Sequence, residues 1–182
     1  MRRMMKTVLV LSGLALVGVS SVQAQSGFAP KQTRIGPVIG LGGLGGASVS
    51  WGARFEKGIK QLPNLGDGVL SFQASLDYYS FTARSGTFKA TAKVIPVSGT
   101  INYHINTKNE KWDAFVGAGL GYQNYSYSDN FSNVTGLGSS GVYFVGRLGG
   151  SYSIANALAL YADVGAGAAT LNAGVMFDLG KK

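Results

Sequence analysis

Apolar and polar side chains alternate along almost the whole chain after residue 34, and this pattern constrains the fold more than any other feature. In residues 70–78 the even positions carry leucine, phenylalanine, alanine and tyrosine, and the odd positions carry serine, glutamine and aspartate. Alternation with a period of two is typical of a β-strand whose two faces meet different surroundings. No comparable stretch shows a helical period. The chain is therefore predicted to be all-β.

Eight stretches share this alternation, and turns that contain glycine, asparagine or proline separate them. The predicted strands are residues 35–41, 47–59, 69–81, 93–105, 114–127, 142–154, 158–166 and 171–179. Consecutive strands joined by short turns form an antiparallel meander. The sequence thus predicts an eight-stranded antiparallel up-and-down β-barrel.

The first 24 residues follow another pattern, that of a cleavable secretory signal peptide. A positively charged start precedes an apolar run at residues 8–19, and small residues then lead to Ala24. The apolar run is shorter than the ~20 residues that a membrane-spanning helix needs. The predicted division is a signal peptide at residues 1–24, a short tail at 25–33 and a barrel domain at 34–182. We expect an exported protein.

The composition indicates which face of the barrel is outside. Charged residues make up 13% of the chain, whereas soluble domains average about 25%. The polar face holds mainly glycine, serine, threonine and asparagine, too little charge for a surface in water. The apolar stripes end in aromatic residues, as in the girdles of membrane barrels: Trp51, Phe55, Tyr78, Tyr103, Tyr122, Tyr152 and Phe177. We predict a transmembrane barrel; a soluble, lipocalin-type barrel is the alternative.

The few charges on the polar face form a candidate site inside the barrel. Arg54, Glu56 and Asp77 lie on neighbouring predicted strands, and Arg147 has Asp163 as its candidate partner. An unpaired ion in a narrow lumen is costly, so these charges are expected to pair. The cluster either fills the lumen or lines a narrow ion path.

Inward-facing glycines are the reason to retain an ion path as an alternative hypothesis. The interior of an eight-stranded barrel is just wide enough for side chains. Glycines on the inner face would leave part of that volume unfilled: Gly117, Gly119, Gly121, Gly149 and Gly165. A narrow channel is therefore the second functional hypothesis.

His104 is the only histidine and the one candidate general base. It is predicted to face the lumen near the end of the fourth strand, with no Ser-His-Asp cluster around it. The chain has no cysteine, so a cysteine-ligated metal site is excluded. We expect no catalytic residues, no metal and no cofactor.

The end of the chain carries a family resemblance. Residues 172–179 read Asn-Ala-Gly-Val-Met-Phe-Asp-Leu and resemble the sorting signal of bacterial outer-membrane barrels, with Gly174, Phe177 and Leu179 at its main positions. Residues 115–122 and 142–150 also resemble the small outer-membrane β-barrel family, which includes the OmpA transmembrane domain and OmpX types.

The resemblance implies a place and a set of partners. It implies the outer membrane of a Gram-negative bacterium, assembly by the outer-membrane insertion machinery, and contact with outer-membrane lipid and lipopolysaccharide. Both termini would face the periplasm. The outer connections would be residues 42–46, 82–90, 129–141 and 166–170. Lipopolysaccharide phosphates would then be within reach of basic residues in or beside the second connection: Arg84, Lys89 and Lys93.

The expected role is structural or one of surface interaction, without catalysis, and the expected state is a monomer. A narrow channel for ions or small solutes is the alternative, and a lipid A-modifying enzyme is a more distant one. The net charge is +8, but an exported chain without a basic run is not expected to bind nucleic acid. The sequence names no surface ligand.

Overall fold

Eight antiparallel strands form one sheet that closes on itself. The computed structural model describes residues 27–43, 49–85, 88–128 and 139–180, with backbone alone at 83–85, 88–90 and 128. The strands are β1 (Thr33–Gly43), β2 (Val49–Leu62), β3 (Gly68–Ser85), β4 (Phe88–Ile105), β5 (Trp112–Ser128), β6 (Gly141–Ala155), β7 (Leu158–Ala166) and β8 (Ala169–Asp178). A 3-10 turn at Pro63–Leu65 follows β2.

Each strand pairs with its neighbours in chain order, and β1 pairs with β8 to close the barrel. The closing register runs from Arg34 opposite Asp178 to Gly43 opposite Ala169. Closure leaves no sheet edge unpaired in the spanning region, where lipid offers no hydrogen-bonding partner. The predicted eight-stranded up-and-down barrel is confirmed. We call one end of the barrel the lower end. It holds both ends of the described chain and the β2–β3, β4–β5 and β6–β7 connections.

The apolar face points outward and the polar face points into the lumen. Large apolar side chains are exposed around the wall, for example Leu148 with 63% of its surface accessible, while polar side chains such as Gln73 and Asn102 are fully buried inside. This inside-out arrangement is the architecture of the small outer-membrane barrels, as the family resemblance implied. Among the described residues there is no helix with the length and hydropathy to span a membrane.

The aromatic residues at the ends of the outward stripes lie at two levels. Trp51 is opposite Tyr78 near the upper end. Trp112, which the sequence analysis did not include, pairs with Tyr152 near the lower end, and their ring centroids are 4.9 Å apart. Two aromatic levels are expected where the wall meets the two membrane–water interfaces.

The second upper connection differs from its prediction. Residues 82–90 were expected to form a loop, but β3 continues to Ser85, β4 begins at Phe88, and the two strands remain paired. Cross-strand contacts continue there, since the hydroxyls of Thr82 and Thr91 lie 3.1 Å apart. Threonine is favourable in a strand, so a long hairpin forms in place of a loop.

The barrel wall is taller on one side as a result. β3, β4 and β5 contain 18, 18 and 17 residues, whereas β7 and β8 contain 9 and 10. At about 3.3 Å per residue, the difference corresponds to roughly 25 Å of strand. The upper parts of β3, β4 and β5 therefore project above the aromatic level, and we call them the tall wall.

The other boundaries differ less. β1 is longer than the predicted 35–41, and a two-residue turn replaces the predicted connection 166–170. The connections 42–46 and 129–141 lie partly outside the described residues, and the predicted signal peptide at residues 1–24 lies wholly outside them. Within the predicted tail, the described residues 28–32 lie across the lower opening of the barrel, and β1 follows directly.

A charged substitution on the outer wall tests its exposure to lipid. Leu148 lies midway along the outward stripe of β6, so Leu148→Arg should lower the free energy of unfolding in phospholipid bilayers by about 2–4 kcal/mol. Thr82→Arg, on the exposed upper part of β3, is the matched control and should cost about 0–1 kcal/mol. Denaturant titration in vesicles measures both. Equal costs would contradict a lipid-facing stripe at Leu148.

Candidate functional site

Two polar networks fill the lumen, and the upper one contains most of the predicted charge cluster. Arg54 on β2 donates from Nη1 to Asp77 Oδ1 on β3 at 2.9 Å. Arg147 on β6 donates from Nη1 to both carboxylate oxygens of Asp163 on β7, at 2.9 and 3.0 Å. The structure thus pairs Arg147 with its expected partner Asp163, and it pairs Arg54 with Asp77, one of the two carboxylates grouped with it.

Asn172 on β8 links the two ion pairs. Its Oδ1 accepts a hydrogen bond from Arg54 Nη2 at 3.0 Å, and its Nδ2 donates to Asp163 Oδ1 at 2.8 Å. A continuous chain of hydrogen bonds therefore runs from Asp77 to Arg147 across the barrel, and we call these five residues the upper layer. The amide joins two otherwise separate ion pairs, and the predicted charge cluster did not include it.

A glycine on β1 makes room for this link. Gly40 lies between the strands that carry Arg54 and Asn172. A Cβ at this position would lie 2.9 Å from Asn172 Oδ1 and would overlap the Ser50 hydroxyl. The absence of a side chain at Gly40 lets the upper layer cross β1 without a steric obstacle.

Glu56 is not a member of the upper layer, contrary to the predicted cluster. It lies two residues from Arg54 on the same face of β2, and its Oε1 contacts His104 Nε2 at 2.9 Å. The same oxygen accepts hydrogen bonds from Ser71 Oγ at 2.7 Å and Asn102 Nδ2 at 2.8 Å. The carboxylate is therefore neutralised by the histidine, below the arginine layer.

A Ser-His-Asp arrangement surrounds the only histidine, so the expectation that none exists was wrong. Ser71 Oγ lies 2.9 Å from His104 Nε2, and Asp113 Oδ1 lies 2.8 Å from His104 Nδ1. Ser71, His104 and Asp113 come from three consecutive strands. Asp113 was not among the predicted lumen residues because the fifth strand was predicted to begin at Ala114, although odd-numbered residues of this strand face inward. With Glu56 and Asn102, these residues form what we call the lower layer.

The hydrogen bonding of Ser71 differs from that of an activated nucleophile. In a catalytic triad the serine hydroxyl gives its proton to the histidine. Here the Ser71 hydroxyl donates to Glu56, and each ring nitrogen of His104 faces a carboxylate. A protonated His104 donates from both nitrogens and then lies between two negative charges. This geometry neutralises buried charge and provides no free base.

Arg34 extends the lower layer to the bottom of the barrel. Its Nη1 donates to Ser151 Oγ at 3.0 Å and lies 3.7 Å from Asp113 Oδ2. Its Nε donates to Asp178 Oδ1 at 3.2 Å. The sequence analysis missed Arg34 because it began the first strand one residue later. Arg34 shares the even numbering of the inward residues of β1, and this was the signal that could have identified it.

The inward glycines do not leave the lumen empty. A Cβ at Gly117 would overlap Asn102 Oδ1, and one at Gly121 would overlap the ring of Tyr143. A Cβ at Gly149 would lie 2.6 Å from the ring of Phe115. Larger neighbours occupy the space that these glycines provide, which corrects the expectation of unfilled volume.

The predicted lipopolysaccharide contacts lie on strands and not in a loop. Arg84 on β3 is opposite Lys89 on β4 in the backbone register. Lys93 is exposed on β4, two residues above Ile95 in the apolar belt. All three residues belong to the tall wall.

The positions of the predicted sorting signal are divided between the two faces. Gly174 is on the inner face of β8, where it packs closely against Pro37 and Val38 of β1. Phe177 and Leu179 are exposed on the outer face. The amide of Leu179 donates to the carbonyl of Thr33 at 2.8 Å, so backbone pairing continues one residue past β8.

No group of three or more histidine, cysteine, aspartate or glutamate side chains in the described part of the chain has a metal-binding arrangement. The acidic residues of the lumen instead face arginine, histidine and amide donors. Each of these carboxylates has at least one oxygen in an ion pair or hydrogen bond, while Asp77 Oδ2 has no hydrogen-bond partner.

Comparison with solved structures finds chains of similar fold. No protein-family model matches the chain, and no curated protein matches it. The chain is similar to the crystal structure of Ail, the attachment invasion locus protein of Yersinia pestis, at 13% identity, covering 81% of this chain and 93% of that one, with a TM-score of 0.42. For Ail in complex with the heparin analogue sucrose octasulfate, the identity is 12%, the coverage is the same and the TM-score is 0.43. The function of this chain has to be argued from its own residues.

Breaking one ion pair tests the upper layer. Arg147→Met leaves Asp163 buried without its cation, so it should lower the free energy of unfolding by about 3–5 kcal/mol. Adding Asp163→Asn removes the stranded charge and keeps a hydrogen-bonding side chain, so the double variant should regain most of the loss. Denaturant titration in bilayers measures both variants. If the double variant were as unstable as the single one, the unpaired charge of Asp163 would not be the cause of the lost stability.

Proposed function

We propose that the protein is an outer-membrane β-barrel with a closed lumen and a structural or surface-interaction role. The closed lumen is inferred mainly from the burial of the upper layer. Its five side chains span the interior, and none of these residues is more than 3% exposed. A path for hydrated ions needs polar walls that water can reach. The channel hypothesis is correspondingly weaker, since neighbouring side chains occupy the space beside the inward glycines.

The lower layer supports a non-catalytic role. The Ser71 hydroxyl donates a hydrogen bond to Glu56 and is fully buried, so a substrate has no direct approach to its oxygen. The charge pairing of His104 accounts for the presence of a histidine in the lumen without a reaction. A lipid A-modifying activity would need a reactive group that meets the outer leaflet, and this network is at the lower end.

The outer membrane is the location that fits the wall. Trp112 and Tyr122 lie ten residues apart on one outward stripe of β5, which at a tilt near 40° corresponds to a belt height of ~26 Å. The apolar band of outer-membrane barrels is about 25 Å tall. The predicted signal peptide and the C-terminal signal-like strand support export and insertion by the outer-membrane machinery. Closure of the sheet leaves no edge for pairing with a second barrel in the spanning region, which fits a monomer.

The proposed orientation places the termini in the periplasm and the tall wall outside the cell. Lys93 then lies just above the apolar belt, at the height of lipopolysaccharide phosphates. Arg84 and Lys89 lie higher on the same hairpin. Basic residues near an anionic membrane surface gain about 1 kcal/mol each, so these three residues are the proposed lipopolysaccharide contacts.

Conductance measurement tests the closed lumen. Mature protein, residues 25–182, refolded into planar bilayers should insert without stable single-channel steps, because the upper layer excludes water. A folded state is verified by heat-modifiable migration in gel electrophoresis. Stable steps that change when Arg54 or Arg147 is replaced would make the protein a channel and reject the closed lumen.

Lipopolysaccharide co-purification tests the surface contacts. Changing Arg84, Lys89 and Lys93 together to glutamine should reduce the lipopolysaccharide that co-purifies with the barrel. The control carries the same loss of charge at the lower end, where Lys57, Lys60 and Lys108 are exposed; changing these to glutamine should leave co-purification unchanged. Equal amounts of co-purified lipopolysaccharide in both variants would contradict the proposed role of Arg84, Lys89 and Lys93.

A further inference from the structure

We propose that residues 27–32 form a strap that closes the lower mouth of the barrel as a second barrier beneath the upper layer. This inference rests on the proposed function, in which the lumen is closed, and adds a separate means of closure to it. The strap immediately precedes β1 in the chain and crosses beneath the lower layer.

Phe28 is the part of the strap that enters the barrel. Only 4% of its surface is accessible. Its ring stacks on His104 with a centroid distance of 4.1 Å and an angle of 14° between the planes. The guanidinium carbon of Arg34 lies 5.0 Å from the centre of the same ring. The phenyl ring thus stacks on His104 of the lower layer and faces the Arg34 cation, a favourable position for an aromatic face.

Hydrogen bonds fix the strap to the rim. The Lys31 amide donates to the Gly58 carbonyl at 3.0 Å, and the Gly58 amide donates to the Gln32 carbonyl at 2.8 Å. The Gln32 side chain accepts from the Ala29 amide at 2.7 Å and donates to Asp178 on β8. The strap is therefore attached to both β2 and β8, on either side of β1.

The position of Gly58 shows how closely the strap lies against the wall. A Cβ at Gly58 would overlap the carbonyl oxygen of Ala29. Lys31 has a φ of 66°, a left-handed conformation that a lysine rarely adopts. The chain bends sharply there, after which it enters β1. Local contacts thus hold a specific conformation over the opening.

A cleft of about 290 Å³ lies beside the strap at the lower mouth. Phe28, Ala29 and Pro30 form one side of it, and His104, Asp67 and Asn106 are among the residues on the other sides. His104 is at the inner end of this cleft, and Ser71 lies behind His104. Movement of Phe28 would therefore open a water path to the lower layer while the upper layer stayed in place.

Water access to the lower layer can be measured by labelling one introduced cysteine, because the chain has none of its own. Ser71→Cys introduces a single thiol of similar size at a position that is 0% exposed. A positively charged methanethiosulfonate reagent labels an accessible thiolate: the thiolate attacks the reagent's sulfur, a mixed disulfide forms and methanesulfinate leaves. Labelling should be slow when Phe28 is present and at least about tenfold faster when Phe28→Ala is added.

Two controls separate closure by the strap from general loosening. Phe55→Ala removes the same ring from the lipid face and should leave labelling of the Ser71→Cys thiol unchanged. Thr107→Cys, on the exposed β4–β5 connection, should label rapidly with or without Phe28. Heat-modifiable migration verifies that each variant is folded. If Phe28→Ala does not fold, Gln32→Ala loosens the strap and retains the ring, and it should also accelerate labelling.

Two results would overturn the strap. One is rapid labelling of the Ser71→Cys thiol with Phe28 in place, and the other is slow labelling in a folded Phe28→Ala variant. Failure of the closed-lumen proposal would be seen separately, as conductance of the unmodified protein.

Discussion

Closure of the sheet through β1 and β8 is the constraint on which the rest of the structure depends. A spanning sheet in lipid must pair every backbone donor and acceptor, so its first and last strands have to meet. Their meeting brings Arg34 opposite Asp178 and brings Asn172 within reach of Arg54. Residues from opposite ends of the sequence thereby become neighbours in the lumen.

The width of that lumen then determines what its polar residues do. Eight strands enclose an interior barely larger than its side chains, where an unpaired charge is costly. The upper layer meets this constraint with two arginine–carboxylate pairs joined by one amide. The lower layer meets it with a histidine between Glu56 and Asp113. This pairing explains why the lumen can be polar, and it supports the proposed closure.

The predictions from sequence were right about the face on which a residue lies, which the alternation decides. They were incomplete about its partners, which the register of the strands decides. The pattern assigned the inner face correctly at Arg54, Asp77, Arg147 and Asp163. It placed Glu56 in the wrong network, because residues on one face of a strand share a direction without sharing partners. It also missed Asp113, because the predicted fifth strand began at residue 114 and so excluded an inward-facing residue at its end.

The tall wall was missed for a related reason. Glycine and serine near residue 86 predict a break in the strands, but the described residues on either side remain paired, as at 82 and 91. The strap was missed because Phe28 precedes the alternating region, so no pattern assigned its ring to either face. In both cases the deciding partner is distant in the chain or lies beyond the end of the pattern.

The sequence by itself determined the number of strands, the face that each presents to lipid, and the polar character of the lumen, because alternation is a local property of the chain. Only the tertiary structure decided the contacts across the lumen: Arg54 with Asn172, His104 between two carboxylates, and Phe28 beneath them. Those contacts depend on how far each strand is shifted against its neighbours when the barrel closes. The shift is set by all eight strands together, so no single segment encodes it.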